Sequence, residues 1–129
     1  MNGNYLPDTN ILIALFAQEA NVIQQFGTTN AIFLSSVVLG ELYYGARRSG
    51  RVDANVARID TLAQRNTVLA CDQETAEEYG KIKEALRQKG RMIPDNDIWI
   101  AATAIQHNLT LATRDAHFDE VDTLLSVRW

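Results

Sequence analysis

Asp8, Glu41, Asp97 and Asp115 share a setting: each borders or interrupts apolar sequence. Asp8 follows "NYLP" and precedes "NILIALF"; Glu41 lies between Leu39 and Leu42 in "VVLGELYYGA". Asp97 opens "IWIAATA", and Asp115 ends "LTLATRD". Taken singly, each has a structural use. Asp8 suits a turn or a helix N-cap, and Asp97 near a helix start gains roughly 0.3–1 kcal/mol from the helix dipole. Asp115 suits a turn. Glu41 is harder to place, because a carboxylate among apolar helical neighbours needs a partner or water. Brought together, the four would repel and raise one another's pKa unless a cation sat among them. Arg114 is the only base next in sequence to any of them.

A hard divalent ion meets that need, since Mg²⁺ (or Mn²⁺) takes carboxylate oxygens and keeps several waters. His107, His117 and Cys71 show no ligand spacing, so a softer metal is not expected, and His107 reads as a surface residue at a helix C-terminus. Such an ion lowers the pKa of a bound water and sets it in line with a phosphodiester. No protein nucleophile is then required. Thr9 and Thr113 lie beside, or two before, an acid, where a hydroxyl can hold water or a phosphate oxygen.

The elements that must position these acids alternate. "NYLP", "AIFLS", "TVLAC", "LTLAT" and the tail "LLSVRW" read as short strands. Between them lie helical patterns. "NILIALF" leads, and "NVIQQFG" follows and stops at Gly27. Ser36 is expected to cap "VVLGELYYGARR", and "DANVARIDTLAQR" is amphipathic. Asp72 caps "QETAEEYGKIKEALRQKG", with a stripe of Ala76, Tyr79, Ile82, Ala85 and Leu86 and a stop at Gly90. A last helix runs from about Asn96 to His107 behind Pro94. Strands separated by helices imply an α/β fold, one three-layer domain over residues 1–129 with a central parallel sheet covered on both faces. Ligands of such sheets bind beyond the carboxyl ends of the strands, where the four acids fall. Ala101, Ala102 and Ala104 let the helix carrying Asp97 pack tightly on the sheet. Strand order does not follow from the pattern.

The whole chain sets bounds. At 129 residues, 47% hydrophobic and 22% charged, it has the composition of one ordinary globular domain. Its single cysteine excludes an internal disulfide and an all-cysteine metal site. No secretory signal and no membrane span is read, so a cytoplasmic location is expected. A net charge of −4 is unusual for a protein that meets phosphates. The bases, however, are uneven: "ARRSGR" and "KIKEALRQKGR" hold eight of the twelve. Arg47 and Arg48 in the first cluster are candidate RNA contacts, with a solvated helix face as the simpler explanation.

With those residues assembled, the sequence resembles the PIN-domain ribonucleases, in particular the VapC toxins of toxin–antitoxin pairs. The resemblance rests on "LPDTNILIALF", "SSVVLGELYYGA", "IPDNDIWIAATA" and "LATRDAHF", in that order along nearly the whole chain. It implies a Mg²⁺- or Mn²⁺-dependent endoribonuclease with Asp8, Glu41, Asp97 and Asp115 as metal-binding catalytic acids. Thr9 and Asn10 match the polar residues after the first acid, and Asp95 and Asp119 are extra acids expected at the rim. It further implies a homodimer and a small cognate VapB-like antitoxin that places a basic side chain in the acidic groove.

Two other classes compete. A PIN-fold module that only binds RNA or a protein partner would keep the acids without turnover. A phosphoacceptor or phosphatase domain would want adjacent early acids with a late lysine, or a second Asp two residues after the first. Asp8 stands alone, Asn10 follows it, and no lysine occurs after Lys89.

Overall fold

The first strand-forming run becomes the centre of the sheet. In the computed structural model, which describes residues 3–29 and 31–129, β1 (Asn4–Pro7) pairs in parallel with β2 (Ala31–Ser35). Met1 and Asn2, at the head of the stretch read for a secretory signal, lie outside the described residues. β3 (Thr67–Leu69) adds to β2, β4 (Thr110–Ala112) pairs with the other edge of β1, and β5 (Ser126–Val127) adds to β4. The order β3-β2-β1-β4-β5 is parallel throughout. Helices provide the crossovers: α1 (Thr9–Phe16), α2 (Ala20–Thr28), α3 (Ser36–Arg47), α4 (Val52–Arg65), α5 (Gln73–Lys89) and α6 (Asp95–Gln106). A 3₁₀ turn, Ala116–Glu120, follows β4. The α/β reading from the sequence holds, with helices flanking a parallel sheet.

Strand alternation divides the core. Leu6 and Leu111 join the larger apolar cluster with residues of α3, α5 and α6, whereas their neighbours Tyr5 and Ala112 pack with Ile11, Val22 and Trp129. Successive strand side chains point to opposite faces, which accounts for the division. No helix among the described residues is long and apolar enough to cross a membrane.

Local signals account for most boundaries. Asp72 caps α5 through a reciprocal pair with Thr75, and Gly90 ends it at φ 70°, a left-handed conformation that glycine adopts without strain. Three details differ from the sequence reading. Ser35, not Ser36, caps α3, accepting from the Val37 N–H at 3.1 Å, because the strand delivers Ser35 in extended geometry. Gly27 does not stop α2, which runs to Thr28. In α5 the buried positions are Thr75, Ile82 and Leu86, while Ala76 and Ala85 are exposed. Thr75 can be buried because its hydroxyl is held by Asp72 and Gln106.

The site depends on α6. Ile98, Ile100, Ala101, Ala102 and Ala104 are all fully buried, and Trp99 stacks on Tyr79 of α5 with ring centroids 4.1 Å apart. Small side chains bring this helix close to its neighbours and fix the direction of Asp97 in its first turn. Ala101→Leu should therefore overpack the contact and lower stability by about 1–3 kcal/mol. Urea denaturation with an unchanged m-value would show it; an unchanged midpoint would mean the contact is loose.

Candidate active site

The register of the two central strands creates the site. Tyr5 pairs with Thr110 and Pro7 with Ala112, so β1 and β4 end level with one another. The Asp8 N–H extends this ladder, donating to the Ala112 carbonyl at 2.8 Å. Asp8 and Thr113 then leave the sheet side by side. The Thr113 hydroxyl donates to Asp8 Oδ2 at 2.7 Å, a buried bond between residues 105 positions apart. The other carboxylate oxygen, Oδ1, accepts from the Thr9 N–H at 2.8 Å, so Asp8 also caps α1.

From this pair a hydrogen-bonded path reaches all four acids. On one side the Thr9 hydroxyl donates to Glu41 Oε1, and Asn96 Nδ2 approaches Glu41 Oε2 at 3.4 Å. On the other, the Thr113 hydroxyl accepts from the Asp115 N–H at 3.0 Å. Asp115 Oδ1 accepts from the His117 N–H at 2.9 Å, and His117 Nδ1 lies 3.1 Å from Asp97 Oδ2. Thr9 and Thr113 thus aim carboxylates, with their hydroxyl protons already committed. Asn10 ties the same loops together, its Oδ1 accepting from the Arg114 N–H at 3.3 Å.

The electrostatics are unbalanced. Asp8 is 6% exposed, and burial is the main cause that raises its pKa; the Thr113 and Thr9 hydrogen bonds oppose this, while Glu41 and Asp115 add to it. Asp97 is likewise raised, first by burial; the His117 hydrogen bond opposes this, and the Asp115 and Asp8 charges add to it. Among the described residues no lysine or arginine pairs with any of the four. Arg114, the one base adjacent in sequence, turns away to Glu19 at 2.9 Å and to the Trp129 carbonyl at 2.7 Å. The donor set fits a cation: Asp97, Asp115 and His117 each offer a ligand atom, and these atoms lie within 4.8 Å of one another.

Asp95 and His117 stand differently toward the four acids. Asp95 does not join the four; it bonds to the Tyr79 hydroxyl at 3.0 Å and to Lys83 at 3.2 Å. Residues two apart on a helix point in different directions, so Asp95 and Asp97 do not serve one centre. Its pKa is lowered, first by the Tyr79 hydrogen bond and then by Lys83. Conversely, His117 stands beside two of the acids, although its sequence position shows no ligand spacing. Asp119 is exposed on the 3₁₀ turn and takes no part in the path. Arg47 and Arg48 are exposed at the C-terminal end of α3, with Arg48 over the Tyr44 ring at 5.7 Å from its centroid. A cavity of about 250 Å³ borders Thr9 and Glu41, with Ile13, Phe16, Ile59 and Arg58 among its walls.

A PIN domain model matches residues 5–124, almost the full span of these elements. The chain belongs to the PIN-domain family. Within it, the chain is 34% identical to ribonuclease VapC2 of Haemophilus influenzae over 128 residues, 97% of either protein. It is 32% identical to the tRNA(fMet)-specific endonuclease VapC of Shigella flexneri over 128 residues, again 97% of each. The fold matches the crystal structure of VapBC2 from Rickettsia felis bound to a promoter DNA fragment, with TM-score 0.90, 30% identity and 98% of both chains covered. The motif-based resemblance is therefore upheld along the whole PIN domain.

The raised pKa of Asp97 has a measurable sign. A carboxyl whose folded pKa lies above its unfolded value binds its proton more tightly when folded. Its contribution to stability is present below the unfolded pKa and is lost as pH rises through the folded one. In metal-free protein, Asp97→Asn should therefore raise the urea midpoint at pH 8, with the gain shrinking toward pH 4. An equal or lower midpoint at pH 8 would mean that burial does not penalise this charge.

Proposed function

We propose that this protein is a Mg²⁺- or Mn²⁺-dependent endoribonuclease, the toxin of a toxin–antitoxin pair. The observation that carries the reading is the path that joins Asp8, Glu41, Asp97 and Asp115 with, among the described residues, no lysine or arginine to balance them. The relatives named ribonuclease or endonuclease support it. Asp8, Glu41, Asp97 and Asp115 would hold the ion. When bound, such an ion supplies Lewis acidity to the phosphoryl group and makes water a better nucleophile.

The chain's own contribution is position. Thr113 and the Thr9 N–H fix both oxygens of Asp8, and the Thr9 hydroxyl fixes Glu41. The α6 mount holds Asp97 against rotation. Both threonine hydroxyls already donate to carboxylates, so neither is poised to attack, and hydrolysis adds water across the phosphodiester. RNA approaches from the strand-end rim, with Arg47 and Arg48 as contacts for its backbone phosphates. A VapB-like antitoxin silences the centre by presenting a basic side chain to the acids, a charge-assisted contact that also excludes substrate. A homodimer in the cytoplasm, built from one nuclease domain per chain, completes the reading.

The test is cleavage of RNA by purified antitoxin-free protein in Mn²⁺, beside EDTA and Asp97→Asn. Activity should disappear in EDTA and fall at least about 100-fold in the variant, the scale expected on losing a group that holds the metal. Retention of full activity by Asp97→Asn would remove its assignment. Intact metal binding without cleavage of any RNA tried would favour the non-catalytic binding module. Separately, reversing charge at Arg47 and Arg48 should weaken RNA binding and flatten its salt dependence by up to about two phosphate contacts. An unchanged salt slope would make that cluster a solvated face.

A further inference from the structure

The imidazole of His117 links Asp97 to the other acids, and the four-acid reading gives it no ligand role. Its Nδ1 lies 3.1 Å from Asp97 Oδ2 and 3.2 Å from Asp115 Oδ1. The 3₁₀ turn fixes this placement, because the His117 N–H is held by Asp115 Oδ1. The ring is half exposed, so its far side is open to solvent while Nδ1 faces the acids.

We propose that His117 Nδ1 is itself a metal ligand, which makes Asp97, Asp115 and His117 a mixed nitrogen–oxygen site that prefers first-row transition ions to Mg²⁺. The inference rests on the metal-centre reading above and deepens it by naming the ion class. Three ligand atoms within 4.8 Å of one another can share one ion. Imidazole nitrogen adds little to Mg²⁺, a hard ion that takes oxygen and retains water. It contributes more to transition ions, whose affinity for nitrogen-containing sites rises along the first row. A site of carboxylates alone has less of that bias. The same contacts would also arise if a protonated His117 simply bridged the two carboxylates. That arrangement leaves no lone pair on Nδ1 for a metal, so spectroscopy separates the two.

The experiment needs no RNA. Mn²⁺ bound to the wild-type chain is examined by pulsed electron paramagnetic resonance for coupling to ¹⁴N, and Mn²⁺ and Mg²⁺ affinities are measured by calorimetry and competition. His117→Gln and Asp97→Asn are treated identically, with circular dichroism to confirm that both fold. Nitrogen coupling should be present in the wild type and absent in His117→Gln. Mn²⁺ affinity should fall about tenfold or more in that variant, while Mg²⁺ affinity stays within about twofold. Absence of nitrogen coupling in the wild type, or an equal loss for both ions, would overturn the assignment and make His117 a bridging cation. If Asp97→Asn binds both ions as the wild type does, the metal-centre reading and this inference fall together.

Discussion

A buried carboxylate needs compensation, and the bond between Thr113 and Asp8 is where this fold supplies it. Removing a charge from water is costly unless hydrogen bonds or an opposite charge replace the lost solvation. Asp8 receives two hydrogen bonds, one from its own helix start and one from the far end of the chain. The second requires β1 and β4 to pair in the observed register, since a slip of one residue would turn Thr113 to the other face. Sheet, loops and acids are therefore one arrangement. The hydrogen bonds oppose the burial penalty without cancelling it, so a positive charge brought beside Asp8 would offset the remainder.

The neighbouring bases Arg114 and Lys83 do not supply that charge. Arg114 is engaged by Glu19 and a terminal carbonyl, and Lys83 by Asp95. A lysine or arginine lying across the acids would neutralise them and compete with any metal. Here Arg114 and Lys83 have acids of their own, Arg58 lies over the Phe16 ring, and among the described residues the four acids of the path pair with no lysine or arginine. The same logic fits inhibition by a protein partner, because a cation supplied from outside meets no internal competitor. It also gives the net charge of −4 a local meaning.

Much of this was legible in the sequence, for particular reasons. Strand and helix alternated cleanly, and Asp72 and Gly90 marked both ends of α5 by cap chemistry that acts within a few residues. The four acids could be grouped because strand-end placement is a property of parallel sheets in general. What could not be read is what depends on through-space neighbours. His117 lies twenty positions from Asp97, and only the approach of the 3₁₀ turn to α6 brings them together. The destination of Asp95 was decided by Lys83 and Tyr79 on α5, a helix whose packing against α6 no local pattern encodes. Thr75 is absent from the apolar stripe read for α5, and its burial depends on Gln106, 31 positions away. Helical geometry alone, on the other hand, would have separated Asp95 from Asp97.

The position of β1 between β2 and β4 also has a temporal consequence. Chains emerge from the ribosome at about 5–20 residues per second, and Asp8 and Thr113 are 105 residues apart. For roughly 5–20 s of synthesis, β1 can pair only with β2, and its other edge stays open. Glu41 can reach Thr9 in that interval, but Asp97, Asp115 and their supports have yet to appear. Half of the acidic rim exists without the other half. The centre therefore assembles only when the last quarter of the chain has been made, and a nascent or truncated chain carries no complete one.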